Sequence, residues 1–244
     1  MQEKGVAITE LLNEMHEHSM QGIDIGIRSD DLPLRSSLLA PYPTIHLSAG
    51  IGPWGVADGQ RPVQEQLGAL GSLLSQHKVC AIGEIGLDNH WGYGTKESQR
   101  ELFVAQMDMA EQRKLPVIIH SREADGEMAC SLAGRTFARR GIMHCFQGSK
   151  DLALLAVSKG MFISFAGPLT YKGNQEMREI LTAIPLELIL LETDSPYLSP
   201  VPRRGKTNTP LHMLHIYEAA ASLLGLAMDE LVLQMQTNFS LFLG

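Results

Sequence analysis

Residues 81–88 have the sequence AIGEIGLD, an otherwise apolar stretch that carries two carboxylates, Glu84 and Asp88. A continuous apolar run of this length is typical of a strand buried on both faces, as in a parallel sheet. Similar stretches recur along the chain at fairly regular intervals. The seven predicted strands are Ile23–Ile27, Ile45–Gly50, Val79–Gly86, Val117–His120, Ile142–Phe146, Met161–Ala166 and Leu188–Thr193.

Helical patterns lie between the predicted strands, and strands that alternate with helices indicate an α/β fold with a parallel sheet. The predicted helices include Ile8–Met20, Ser98–Lys114, Leu211–Leu224 and Met228–Phe242. At this length the candidates are a doubly wound sheet and a TIM-type (β/α)₈ barrel. The nucleotide-binding pattern G-x-x-x-x-G-K-[ST] does not occur, which favours the barrel. A barrel has eight strands, so the sequence predicts a TIM-barrel-like fold that lacks its first strand.

Composition limits the class of protein. The chain has 244 residues with 44% hydrophobic and 19% charged residues, which favours one globular domain spanning residues 1–244. No apolar run approaches the ~20 residues of a membrane span, and no signal peptide is apparent, so we expect a cytoplasmic protein without membrane association. Three cysteines without a C-x-x-C pair argue against a disulfide scaffold and a cysteine zinc site. No obligate protein partner is evident, and we expect a monomer.

Four polar side chains stand at the ends of otherwise apolar strands: Glu84, His120, His144 and Asp194. Such groups are costly to bury unless they are paired or bind a metal, and the carboxyl ends of barrel strands are where catalytic residues gather. Two imidazoles and two carboxylates suit Zn²⁺, Mn²⁺ or Mg²⁺. Taken singly, each has a structural alternative: a hydrogen-bonded core histidine, a helix cap for Glu84, or an Asx turn for Asp194.

The chain contains a set of motifs whose order resembles that in the TatD-type metal-dependent deoxyribonucleases. The resemblance runs from about Gly22 to the C-terminus. The motifs, in chain order, are GEIGLD at 83–88, PVIIHSREA at 116–124, MHCFQGS at 143–149, LLETDSPYL at 190–198, PVPRRGKTNTP at 200–210 and TNFSLF at 237–242.

The resemblance implies an amidohydrolase-like barrel that holds one or two divalent metal ions per chain and cleaves phosphodiester bonds in DNA with a metal-activated water. It implies that Glu84 bridges two metals and that His120 and His144 complete the second metal site. It also implies that Asp194 binds the first metal and orients or deprotonates the attacking water.

The chain departs from the family pattern at its N-terminus, where the family has a strand ending in H-x-H. His16 and His18 form an H-x-H, but they lie in a helical pattern, where residues two apart point to different sides. We therefore interpret them as solvated surface histidines. Two explanations remain open: the true start lies upstream of Met1, or the protein is an open seven-stranded barrel with a weakened first metal site.

Candidate substrate contacts are Arg122, Arg204, Lys206 and Trp54. With a net charge of −7 the whole molecule does not attract nucleic acid, so a phosphate substrate requires a local basic patch. Arginine suits bidentate phosphate contacts, and Trp54 suits stacking on a base. The alternatives are a solvated basic loop and a tryptophan that only covers the barrel mouth. Asn208 is expected to fix its own loop, and Asp88 to hold a loop or a ligand in place.

Two other functions compete with a deoxyribonuclease. One is a barrel hydrolase of the amidohydrolase type that acts on C–N or ester bonds. The other is a catalytically impaired, metal-poor family member that binds nucleic acid or has no activity. The R-G-K stretch at 204–206 favours a phosphate substrate, whereas the missing H-x-H strand favours impairment.

Overall fold

The computed structural model describes residues 4–28, 30–137 and 139–244, and in them the chain forms seven strands and nine α-helices. The strands are β1 (Gly22–Asp24), β2 (Ile45–Ala49), β3 (Ala81–Asp88), β4 (Val117–Arg122), β5 (Ile142–Met143), β6 (Phe162–Phe165) and β7 (Ile189–Leu191). The helices are α1 (Ile8–Glu17), α2 (Leu32–Leu39), α3 (Val63–Leu73), α4 (Lys96–Arg113), α5 (Asp125–Ala133), α6 (Lys150–Ser158), α7 (Gln175–Ala183), α8 (Met213–Leu224) and α9 (Met228–Leu243). None of these helices is long and apolar enough to cross a membrane. The alternation of strands and helices confirms the predicted α/β class.

Residue contacts divide the chain into two compact units. The first unit is continuous and comprises Met20–Met143. The second unit is discontinuous and combines the chain up to Ser19 with His144–Gly244. The single domain expected from the sequence stays a prediction.

The first unit contains β1 to β5, and each of these strands pairs in parallel with the next along the chain. Its apolar core gathers side chains from strands, helices and the loop after β2. The members of this core are Leu32, Ala49, Ile51, Leu70, Val79 and Leu102. This core packs α3 and α4 against β2 and against the residues that lead into β3.

The close pairing of β3 with β4 depends on one glycine. Gly86 lies opposite His120 and has a φ of 149°, a conformation that L side chains rarely adopt. A Cβ atom at this position would lie 1.9 Å from the carbonyl oxygen of His120. Only glycine therefore lets the backbone of β3 pass directly beside His120, and the side chains of the two strands are brought together as a result.

The second unit contains β6 and β7, which are parallel, with Ser164 opposite Leu190 and Phe165 opposite Leu191. Asn238 on α9 is fully buried and donates hydrogen bonds to the carbonyl oxygens of Leu186 and Ile189, at 2.8 and 2.7 Å. This side chain ties the last helix to the start of β7 and so fixes the strand that leads to Asp194.

All seven predicted strands occur, but two boundaries were wrong in ways that matter. Glu84 was expected to end its strand; it lies in the middle of β3, because Leu87 and Asp88 continue the pairing with β4. The strand predicted over Ile142–Phe146 ends at Met143, because Cys145 has a φ of 43°, which is incompatible with an extended strand. His144 therefore lies in a turn.

His16 and His18 lie where the helical pattern predicts them. His16 is in the last turn of α1, His18 is its C-cap residue, and both are exposed. The interpretation of these residues as surface histidines is confirmed. Seven strands were predicted and seven are present in the described part of the chain.

Gln106 offers a test of how the first unit is held together. It is fully buried on α4, accepts a hydrogen bond from the Ile51 N–H at 2.7 Å and donates one to the Ile51 carbonyl at 2.8 Å. We expect Gln106→Leu to lower the free energy of unfolding by about 2–4 kcal/mol, because two buried backbone groups lose their partner. Urea denaturation followed by circular dichroism measures this. Gln112→Leu, at an exposed position of the same helix, should change it by less than about 0.5 kcal/mol, and equal losses would contradict the assignment.

The cysteines provide a second test, since Cys80, Cys130 and Cys145 are all free thiols. Burial raises the pKa of Cys80 to about 12, whereas Cys130 on α5 is exposed. At pH 8 only about one Cys80 in ten thousand is then a thiolate, the reactive form. We expect N-ethylmaleimide to modify Cys130 rapidly and Cys80 only after denaturation, as followed by peptide mass spectrometry. Equal labelling rates in the folded protein would show that Cys80 is not protected.

Candidate metal centre

In the first unit, His120 lies between two carboxylates. Its Nδ1 atom is 2.8 Å from Oε1 of Glu84, and its Nε2 atom is 3.1 Å from Oδ2 of Asp88. Glu84 and Asp88 are both buried on β3, and His120 is on the neighbouring strand β4. A carboxylate at each ring nitrogen fixes the orientation of the imidazole. The structure thus brings together two of the predicted ligands, Glu84 and His120, and adds Asp88.

Asp88 is held by its own network. Its Oδ1 atom accepts hydrogen bonds from the backbone N–H groups of His90 and Trp91, at 2.9 and 3.0 Å. Burial by itself would raise the pKa of Asp88, but the hydrogen bonds from His120 and from these backbone groups outweigh burial and lower the pKa. The buried Gln99 on α4 also bonds both the N–H and the carbonyl of Asp88. Asp88 therefore remains a carboxylate and positions His120, as the sequence predicted for it.

Two predicted substrate contacts also belong to the first unit. Trp54, in the short 3-10 helix Pro53–Val56, donates its Nε1–H to the carbonyl of Ile27, and its ring meets the His120 ring edge-on at 6.1 Å. The Arg122 guanidinium lies 5.7 Å from the ring centroid of Trp91, whose side chain is exposed. The structure therefore places Trp54 against a predicted ligand and leaves Arg122 accessible beside an aromatic ring.

In the second unit, His144, Glu192 and Asp194 form a group whose ligand atoms all lie within 4.8 Å of one another. The Nδ1 atom of His144 is 2.7 Å from Oε1 of Glu192, and its Nε2 atom is 3.5 Å from Oδ1 of Asp194. His144 follows β5, and the two carboxylates follow β7. Asp194 has a φ of 54°, a left-handed conformation that aspartate adopts more readily than most residues. The structure thus brings together the other two predicted ligands.

Glu192 is the member of this group that the sequence analysis missed. Its Oε2 atom accepts a hydrogen bond of 2.5 Å from the Ser164 hydroxyl on β6. A usable signal was present, because residues two apart at the end of a strand point to the same side, so Glu192 and Asp194 of the ETD sequence should share a face.

The fit of a metal to this group rests on Glu192 Oε1. This atom is buried and lies 2.7 Å from His144 Nδ1, while the other ring nitrogen of His144 lies 3.5 Å from Oδ1 of Asp194. Two carboxylates thus share one imidazole, and a divalent cation would balance their remaining negative charge. One imidazole and two carboxylates are also a suitable donor set for Zn²⁺ or Mn²⁺. The residues present therefore fit a metal ion.

The loop with the remaining predicted contacts is fixed by Asn208, which is fully buried. Its amide donates hydrogen bonds of 2.7 Å to the carbonyls of Thr193 and Tyr197, confirming that Asn208 holds its own loop. Arg204 and Lys206 are exposed on this loop, just after the turn that contains Asp194.

Comparison with known proteins agrees with this arrangement. The family described as TatD related DNase matches residues 7–244. The chain belongs to the TatD family. It is 34% identical over 208 residues to the uncharacterized metal-dependent hydrolase YabD of Bacillus subtilis, covering 85% of this chain and 80% of YabD. It is 33% identical over 190 residues to the 3'-5' ssDNA/RNA exonuclease TatD of Shigella flexneri, covering 75% of this chain and 72% of that protein.

Among solved structures, the TatD homologue YJJV of Escherichia coli superimposes with a TM-score of 0.88 at 26% identity, covering 96% of this chain and 90% of YJJV. This likeness confirms the predicted TIM-barrel-like α/β fold. Together with the family match, it identifies the chain as a TatD-type metal-dependent hydrolase.

The role of Glu192 can be tested through metal affinity. We expect Glu192→Gln to weaken Mn²⁺ binding by about 10–100-fold, because one negatively charged oxygen donor is replaced by an amide. Equilibrium dialysis with elemental analysis gives both affinity and the number of ions per chain. The matched control is Glu187→Gln, an exposed glutamate shortly before β7, which should bind Mn²⁺ like the unaltered protein. Indistinguishable affinities for the two variants would remove Glu192 from the metal centre.

Proposed function

We propose that this TatD family protein hydrolyses phosphodiester bonds in DNA with a water molecule activated by divalent metal ions. The observation that carries the proposal is the group His144, Glu192 and Asp194, whose ligand atoms all lie within 4.8 Å of one another. A hydrogen-bonded core histidine or an Asx turn at Asp194 does not require a second carboxylate beside them.

The proposed residues bind metal, orient a ligand or accept a proton. Glu84 and His120 in the first unit, and His144, Glu192 and Asp194 in the second unit, would hold one or two ions of Zn²⁺, Mn²⁺ or Mg²⁺ per chain. When bound, such an ion lowers the pKa of its water and neutralises charge that develops on the phosphoryl oxygens. Asp88 acts through His120, whose ring it orients by a hydrogen bond of 3.1 Å. Ser164 acts in the same way on Glu192.

Asp194 is the proposed proton acceptor for the attacking water. A quarter of its side chain is exposed, compared with a tenth of the His144 side chain, so water can reach it. Its Oδ1 atom lies 3.5 Å from His144 Nε2. A carboxylate that is accessible on one side and anchored on the other is suited to accept a proton and release it to solvent.

Substrate recognition is proposed to use the exposed cations Arg122, Arg204 and Lys206, with Trp54 as a stacking surface. Local cations are needed because the net charge of −7 repels a polyanion at long range. The name of the Shigella flexneri relative, an exonuclease of ssDNA and RNA, supports a nucleic acid substrate. The cytoplasmic location, the monomeric state and the identity of the metal stay predictions.

The test is hydrolysis of an end-labelled single-stranded oligonucleotide with Mn²⁺ or Mg²⁺, resolved on a denaturing gel. We expect Asp194→Asn and Glu84→Gln to reduce kcat by about 100-fold or more, since each removes a charged group from the reacting centre. Glu187→Gln is the control and should retain full activity. Placing the label at the 3′ or the 5′ end shows the direction of degradation.

Three results would contradict the proposal. Metal-dependent cleavage that persists in both Asp194→Asn and Glu84→Gln would show that these two residues do not have the assigned roles. A protein that binds metal and hydrolyses amides, lactones or other esters, but no oligonucleotide, would be the amidohydrolase-type enzyme considered from the sequence. Absence of all hydrolysis with less than one bound ion per chain would identify the impaired family member.

A further inference from the structure

The second unit has a pocket of about 470 Å³ that the metal centre does not use. This volume falls within the range of about 300–1,000 Å³ of ligand pockets. Three cations, Lys4, Arg204 and Lys206, and two tyrosines, Tyr171 and Tyr197, line it. Among its described lining residues there is no aspartate or glutamate, in a protein that carries more acidic than basic groups. The pocket is therefore a local positive site on a negatively charged molecule.

Each of two cations lies over an aromatic ring. The Lys4 Nζ atom is 4.2 Å from the ring centroid of Tyr197, and the Arg204 guanidinium is 4.3 Å from that of Tyr171. Such contacts are attractive and restrain long, otherwise mobile side chains. Tyr171 is itself fixed, because its hydroxyl donates a hydrogen bond of 2.9 Å to the Ser199 carbonyl. The positive charges are thus placed at the wall of the pocket before any ligand arrives.

The backbone around the pocket is also tied down. Ser199 donates its hydroxyl to the Lys206 carbonyl at 2.5 Å, and the Lys206 N–H donates to the Arg203 carbonyl at 3.1 Å. The Tyr197 N–H donates to the Asp194 carbonyl at 2.9 Å, so the pocket begins in the same turn as a proposed catalytic residue. A site that is held in place beforehand loses less entropy when it binds.

The combination of cations and rings indicates the chemical class of the ligand. Lysine and arginine bind phosphate, and more than half of the Tyr197 surface, 58%, is exposed and available for stacking on a base. We propose that this pocket binds one nucleotide of a single-stranded nucleic acid, with its phosphate on Lys4, Arg204 and Lys206 and its base against Tyr197. The assignment rests on the proposed nuclease function, because the nucleotide would belong to the strand being cleaved.

Lys4 comes from the N-terminal segment of the chain. It precedes residue 7, where the match to the TatD family begins, and its side chain contacts Tyr197. The N-terminal segment therefore adds a cation to the pocket, and its removal is expected to weaken nucleotide binding without touching any proposed metal ligand.

Binding can be measured apart from hydrolysis, by fluorescence anisotropy of a labelled single-stranded hexanucleotide in EDTA. We expect Tyr197→Ala to weaken binding about 10-fold, and Tyr197→Phe, which keeps the ring, to bind like the unaltered protein. We expect Lys4→Ala to lower the slope of log affinity against log salt concentration by about 0.7, the value for one lost phosphate contact on a single strand. Lys150→Ala, at an exposed lysine of the same unit outside the pocket, is the matched control.

These measurements distinguish failure of the proposed nucleotide-binding pocket from failure of the proposed nuclease function. If Tyr197→Ala, Lys4→Ala and the unaltered protein bind the hexanucleotide with affinities equal within twofold, the proposal that this pocket binds a nucleotide is wrong. An abasic hexanucleotide that binds as tightly as the normal one would overturn the stacking on Tyr197 and restrict the site to phosphate. If the variants weaken binding as expected but no metal supports cleavage by the unaltered protein, the proposed nuclease function fails and the nucleotide site stands.

Discussion

The placement of carboxylates and imidazoles on apolar parallel strands is the constraint on which this structure depends. Glu84 and Asp88 are buried on β3, where an isolated negative charge would be costly. His120 offsets this cost because each of its ring nitrogens faces one of the two carboxylates. This arrangement is possible because Gly86 has no side chain, so β4 can lie close to β3. The same principle operates in the second unit, where His144 faces Glu192 and Asp194. In both units, carboxylates that are removed from solvent are thus paired with an imidazole.

The order of elements could be predicted from the sequence, because buried parallel strands and amphipathic helices have distinct periods that act locally. All seven strands were found in this way, and Glu84, His120, His144 and Asp194 were identified as candidate ligands. The pairing of His144 with Asp194 was not predicted, because the resemblance assigned them to different metal sites. The partners of these residues could be only partly predicted. Asp88 and Asn208 were expected to support neighbouring groups, and their hydrogen bonds show which groups these are.

What escaped prediction depends on backbone conformation and on contacts distant in sequence. The end of β5 is set by the left-handed conformation of Cys145, which nothing in the local apolar pattern indicates. Glu192 escaped prediction because its partner Ser164 lies on a different strand, and the hydrogen bond between them is apparent only in the folded structure. The contact of Lys4 with Tyr197 joins residues from opposite ends of the chain, so no local sequence pattern encodes it.

The discontinuity of the second unit affects the order of folding. Met20–Met143 is a continuous stretch with its own core, so it can fold on the ribosome while the rest is being made. Helix α1, by contrast, leaves the ribosome before this stretch but belongs to a unit whose other residues are synthesised after it, so its apolar side chains Leu11, Leu12 and Met15 remain exposed until then. The closure of a very long loop therefore precedes the burial of this helix.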